Sequence, residues 1–315
     1  MSKQFPAIFL SALLSSVIFL IIAVNNLDFI LMFVSIIPLF SLGLSKNPKL
    51  ALESGVLAVI PIFLFSGGAL SPAAMYFFVF ALPCWYVCHL ALRNIKIDSP
   101  AATMTLWYPT GLITVNLALY GCMLLAVATA IFATQDTNLP QFIANMAKDV
   151  IAELDSKYEI PATISPMYLA FILCSSMAWL WCFLMFGCAW FVNYTLFKKN
   201  MAVRPDFTIH IFPMPHWLLT LMGICGLASI IGGESMNFLG KSSLFILLIP
   251  YFFLGAAILN SNATKVINSM FFIFICYFIA IITFWPAMVV VGIGMWNHIK
   301  ILNKHLSSGG SSSRN

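Results

Sequence analysis

Glu234 stands behind two glycines in IGGESMNFLG (231–240), and it is the carboxylate best placed to hold a ligand rather than merely face solvent. Two other acids, Asp28 and Glu53, lie where apolar runs begin or end, and Glu53 suits the first turn of a helix, favoured by its dipole. Cys84 and Cys88 are four apart with His89 next in line, so two of the three could share a helix face and offer a metal soft ligands. Cysteine is common in buried helices, packing is the plainer reading, and no metal is assigned. The remaining cysteines are scattered singly and suggest no disulfide framework. Neutral polar groups form the other candidate: Trp107 and Tyr108 in TLWYPTGL (105–112), with Asn116 and Tyr120 following. This set suits a neutral or weakly polar ligand, while aromatics at such a boundary also suit the headgroup layer of a bilayer.

Several chemistries leave no trace in the chain. It contains no Gly-rich phosphate loop, no His-Glu-x-x-His and no nucleophile elbow, so neither ATP hydrolysis nor another enzymatic activity is expected, and no cofactor is implied. A proton-coupled pump needs acids or histidines deep in a bundle, and the acids here sit near the ends of apolar runs.

The elements that must position these residues follow from composition. The 315 residues are 62% hydrophobic and only 8% charged, with a mean hydropathy of +0.99. A water-soluble domain carries about 25% charged residues, so this chain has too little polar surface to cover itself. Runs near the ~20 residues that cross a bilayer recur throughout, uninterrupted rather than alternating, which favours helices over a barrel. The expected fold is an all-α polytopic transmembrane bundle with candidate spans at 7–24, 28–44, 50–66, 72–92, 105–133, 167–197, 215–233, 241–260 and 266–293. The first is read as a retained helix rather than a cleaved signal. Residues 1–306 are expected to form one transmembrane domain, with 307–315 (SSGGSSSRN) a flexible tail.

Basic residues gather at Lys46 and Lys49, Arg93 and Lys96, Lys198 to Arg204, and Lys265, while 135–166 is acidic. The positive-inside rule then puts the amino terminus in the cytoplasm and 135–166 outside. Nine spans would strand Lys300, Lys304 and Arg314 outside, so eight crossings are favoured over nine. Within the outer segment, Leu139, Phe142, Ile143, Met146, Val150, Ile151 and Leu154 recur at helical spacing. An amphipathic helix resting on lipid fits this pattern, and so does a lid over an extracytoplasmic site.

The order of motifs carries a resemblance. IIPLFSLGL (36–44), FALPCWY (80–86), WYPTG (107–111), PMPHWLLTL (213–221), NFLGKSSLFILLIPYFFLGAAIL (237–259) and FWPAMVVVGIGMWNHIK (284–300) succeed one another as in the bacterial YybS-like family of multipass membrane proteins. The likeness runs over residues 7–304, and the amino-terminal half is similar in layout to the substrate-capturing components of energy-coupling-factor transporters. The resemblance implies a bacterial cytoplasmic-membrane location and a small-molecule ligand held in a helical bundle. It also implies separate coupling and ATPase subunits as partners; it assigns no site residue. The function expected is small-molecule transport or substrate capture without an intrinsic ATPase, the alternative being an envelope scaffold for division or wall machinery.

Overall fold

The computed structural model describes residues 4–25, 29–99, 102–134, 138–146, 166–205, 214–263 and 285–309. The described chain is helical apart from one β-hairpin. Helices α1 (Phe5–Val24), α2 (Phe29–Ser45), α3 (Pro48–Phe65) and α4 (Leu70–Leu92) come first. The hairpin β1 (Asn94–Ser99) and β2 (Ala102–Trp107) follows, then α5 (Thr110–Ala133), a short α6 at 139–146 and the long α7 (Pro166–Lys198). The carboxyl part holds α8 (Trp217–Ile231), α9 (Glu234–Ile246), α10 (Ile249–Ala263) and α11 (Trp285–Gly309). Six helices, counting Glu234–Asn260 as one path, are long and apolar enough to cross a membrane, and α2 and α8 are shorter apolar helices. This is a membrane protein of helical architecture. The amphipathic helix expected over 139–160 is described only to residue 146, and the middle of the expected 266–293 span lies outside the described residues.

Two span starts differ by several residues from the sequence expectation, and the helix at the carboxyl end runs on to Gly309, past the expected end at 293. Residues 105–107 belong to a strand, not to the span expected at 105–133, and α5 begins only at Thr110. Pro109 is its cap, with its carbonyl accepting from the Ile113 amide at 3.3 Å. The span expected to begin at 241 instead begins at Glu234, and it breaks at Leu247 and Leu248 just ahead of Pro250, which cannot donate to a preceding turn.

The chain packs as two compact units, the first comprising residues 1–113 and 183–211, the second 114–182 and 212–315. In the first unit a hydroxyl and aromatic core joins α1, α2 and α4. The Phe19 ring lies 5.1 Å from Tyr76 and 5.9 Å from Phe80, and Phe33 meets Phe80 edge-on at 5.3 Å. Two turns of irregular helix meet here, a 3₁₀ turn at Phe33–Ile36 and a π turn at Tyr76–Ala81. Each ends two residues before a proline, Pro38 or Pro83, whose ring crowds the turn before it and whose nitrogen has no hydrogen to give. In a 3₁₀ turn the Ser35 carbonyl would look to the nitrogen of residue 38; the Ser15 hydroxyl donates to that carbonyl at 2.5 Å instead. Having spent its single hydrogen there, Ser15 accepts from the Tyr76 hydroxyl, also at 2.5 Å. Ser54 of α3 donates to the Ile8 carbonyl of α1 at 3.0 Å. At the basic end of this unit the buried Arg204 donates to the Ala91 carbonyl at 3.0 Å, satisfying an orphan acceptor in the last turn of α4.

The second unit holds its helices by backbone proximity. A Cβ on Gly255 of α10 would run into the Val290 carbonyl of α11, and one on Gly294 into the Tyr251 carbonyl. The two glycines interleave along a single seam where the helix axes approach as closely as backbone permits. Beside it, the Tyr251 hydroxyl and His298 Nδ1 are 3.1 Å apart, and the His216 ring stacks on His298 with centroids 5.8 Å apart. His298 is buried, and both burial and the neighbouring His216 hold its imidazole below the usual histidine pKa.

Candidate functional site

The second unit contains a cleft of about 630 Å³ lined by Tyr168 and Phe171 of α7 and by Gly232, Gly233, Glu234, Asn237, Phe238 and Lys241. Its framework is the hairpin formed by α8 and α9. Gly232 ends α8 in an extended conformation, with its amide bonded to the Ala228 carbonyl at 3.1 Å. Gly233, also extended, caps α9, and its carbonyl accepts from the Asn237 amide at 2.8 Å. The two-residue link forces the helices together immediately. A Cβ on Gly240 would lie 2.7 Å from both the Cys225 carbonyl and the Ser229 amide, so glycine is required there. The Asn237 amide group locks the hairpin by donating to the Ser229 carbonyl at 2.5 Å.

The cleft wall on α7 is fixed from below. Trp179 donates its indole N–H to the Phe245 carbonyl at 2.9 Å, and its ring meets Phe245 at 5.4 Å and Phe252 at 5.7 Å. Phe171 reaches the same Phe245 edge-on at 6.0 Å. The aromatic column aligns the amino-terminal end of α7 with the α8–α9 turn.

Glu234, Asn237 and Lys241 occur at spacings of three and four on α9, hence on one face. Seven residues apart at ~1.5 Å per residue, the carboxylate and the ammonium lie about 10 Å from each other along the axis and cannot pair directly. Both are exposed, whereas Phe238 is buried beneath them. The arrangement offers one anion, one cation and a phenol over an aromatic floor. Such a cleft can hold a small molecule with an acidic group and a donor at opposite ends.

Of the residues singled out from sequence, Glu234 lines this cleft, and Trp107, Tyr108, Asn116 and Tyr120 are not among its lining residues. Tyr120 stacks on Trp181, centroids 6.0 Å apart, and a Cβ on the adjacent Gly121 would sit 3.7 Å from the Ile246 side chain, an ordinary packing distance, so this stretch of α5 is a helix-packing face. Asn116 is half-buried on the same helix, and neither it nor Tyr120 is among the lining residues. Trp107 and Tyr108 belong to the first unit, at the foot of the β-hairpin, where the Tyr108 amide donates to the Arg93 carbonyl at 2.9 Å. Cys84 and Cys88 are buried, with Cys88 against Gly43, while His89 is exposed and rests on Trp85. Among the described residues no three His, Cys, Asp or Glu side chains gather as a metal site.

Sequence reasoning missed Tyr168, Asn237 and Lys241. The signal was the acid–base spacing of seven across ESMNFLGK (234–241), hidden because hydropathy alone starts the span at the lysine. No family model, curated protein or solved structure matches the chain.

Proposed function

We propose that the protein is a substrate-capture component of a small-molecule transport system, working with separate coupling and ATPase subunits, and that the cleft over α9 is its capture site. The observation that carries this reading is the cleft itself, about 630 Å³ with Glu234 and Lys241 on one helix face. That volume falls within the ~300–1,000 Å³ of small-molecule sites, and an apolar floor with a few convergent polar groups is their usual make-up. The distribution of lysine and arginine supports an extracytoplasmic opening: Tyr168 and Phe171 lie at the end of α7 remote from the basic stretch 198–204. The carboxylate selects a donor or cation on the ligand and the ammonium an acid, so the ligand class is a polar or zwitterionic small molecule with a planar or apolar body for Tyr168, Phe171 and Phe238.

The test is native mass spectrometry of the protein purified in mild detergent, with identification of whatever co-elutes. A stoichiometric polar small molecule that is lost in both Glu234→Gln and Lys241→Gln, at unchanged melting temperature, is expected. Retention of that molecule by both variants would remove the cleft as its site. Co-purification of division or wall proteins with no small molecule would replace the capture reading with a scaffold.

A further inference from the structure

The β-hairpin between α4 and α5 has the two faces of a membrane-surface element. Its antiparallel register places Ile95 opposite Leu106, Lys96 opposite Thr105 and Asn94 opposite Trp107. With the two-residue period of strands, Ile95, Ile97 and Leu106 share one face, and Asn94, Lys96, Thr105 and Trp107 share the other. The apolar face is uncovered: Ile95 is 68% exposed, Ile97 48% and Leu106 47%. Isolated apolar side chains on a surface need no explanation, but three on one face of a six-residue ladder form a patch that water does not favour.

The chain itself says what covers it. One residue, Arg93, separates β1 from the membrane-length helix Leu70–Leu92, and two, Tyr108 and Pro109, separate β2 from the membrane-length helix Thr110–Ala133. Both feet of the hairpin therefore stand at a lipid boundary on the same side of the bilayer. The foot is closed by the Tyr108-to-Arg93 backbone bond, and the Arg93 guanidinium lies 6.0 Å from the Tyr108 ring centroid. A cation and an aromatic side by side at a helix end are what the headgroup layer takes up, the cation toward lipid phosphate and the ring among glycerol and carbonyl groups.

We propose that the hairpin 94–107 lies on the surface of the membrane the protein spans, with Ile95, Ile97 and Leu106 dipped into the headgroup–acyl boundary and Lys96 and Thr105 turned to water. The partner is the lipid of the same bilayer. The proposal is independent of the capture site, which lies in the other unit.

Single cysteines at Ile95, Leu106, Lys96 and Thr105 would be labelled with bimane in the full-length protein, with unsubstituted protein as the blank for native thiols. All four positions are exposed, so each variant is expected to elute as wild type. The proteins would be reconstituted in phosphatidylcholine–phosphatidylglycerol liposomes with and without shallow doxyl-labelled lipid. Labels at 95 and 106 are expected to shift to the blue and lose emission with the quencher, while those at 96 and 105 keep theirs. Equal quenching on the two faces, or none on either, overturns the proposal. A water-accessible apolar face in liposomes would leave the patch to a protein partner instead.

Discussion

The two units solve the same problem, adhesion between helices in a solvent as apolar as their side chains, by different means. In the first unit glycines meet side chains: a Cβ on Gly43 would lie 2.7 Å from Cys88 Sγ and 3.0 Å from Ala51 Cβ, and one on Gly55 2.9 Å from Ala81 Cβ. In the second unit the tightly packed seam glycines, Gly240, Gly255 and Gly294, meet backbone, at Cys225, Ser229, Val290 and Tyr251. Side chains can give way by rotating or by a small shift of one helix. A main-chain carbonyl held in its own helix cannot. The difference predicts a compliant first unit, whose specificity rests on hydroxyls and rings, and an unforgiving second one, whose specificity rests on shape.

Substitution at the seams is the strongest way to break this comparison. Gly294→Leu should yield no folded protein, and Gly294→Ala should cost about 3 kcal/mol, the upper end of ordinary overpacking, read as lost monodispersity and lowered melting temperature in detergent. In the first unit Gly43→Ala should cost nearer 1 kcal/mol, and adding Cys88→Ala should recover part of it by removing the Sγ contact. If Gly43→Ala proves as damaging as Gly294→Ala, the contrast fails. Tyr76→Phe sharpens the first unit's side of it: the lost hydrogen bond to Ser15 should cost about 0.6 kcal/mol, the mean for interhelical bonds in membranes, because Ser15 keeps its own bond to Ser35.

The smallest effect concerns pH and the second unit alone. His298 has its pKa depressed by burial and by His216, so the unfolded chain binds a proton at higher pH than the folded one. The neutral imidazole's contribution is complete above the unfolded value of about 6.5 and is lost as pH falls through it. Melting temperature should therefore drop between pH 8 and pH 5.5, and His298→Gln, which can still meet Tyr251, should flatten that drop. An unchanged slope in the variant would assign the acid sensitivity to other groups.

The helices were legible in the sequence because lipid leaves so little choice: a predominantly apolar run such as 5–24 has to satisfy its backbone internally. The hairpin was also written there, in the alternation of NIKIDS (94–99) and the Ser99–Pro100 turn signal, but the long run after Thr110 pulled the expected span outward over it. The start of α9 was obscured in the same way, since a polar first turn with Glu234 and a lysine at its eighth position lowers hydropathy below what marks a span. Glu234 was visible as a lone acid behind two glycines. Its partners were not, because Tyr168 is 66 positions away and only the fold brings it near. The pairing of Gly255 with Val290, or of Tyr251 with His298, has no local sign at all.

Ser15 carries a consequence for how the protein is made. Its two partners, Ser35 and Tyr76, lie 20 and 61 residues further along the chain. A helix delivered to the bilayer during synthesis thus arrives with its serine stripe, Ser11, Ser15 and Ser16, ahead of the groups that will engage it. Serine tolerates the interval because its hydroxyl can turn back to a carbonyl of its own helix, as Ser16 does toward Leu13 at 3.1 Å. The first helix is in this sense a delayed adhesive, self-satisfied on arrival and committed only when the fourth has followed it into the membrane.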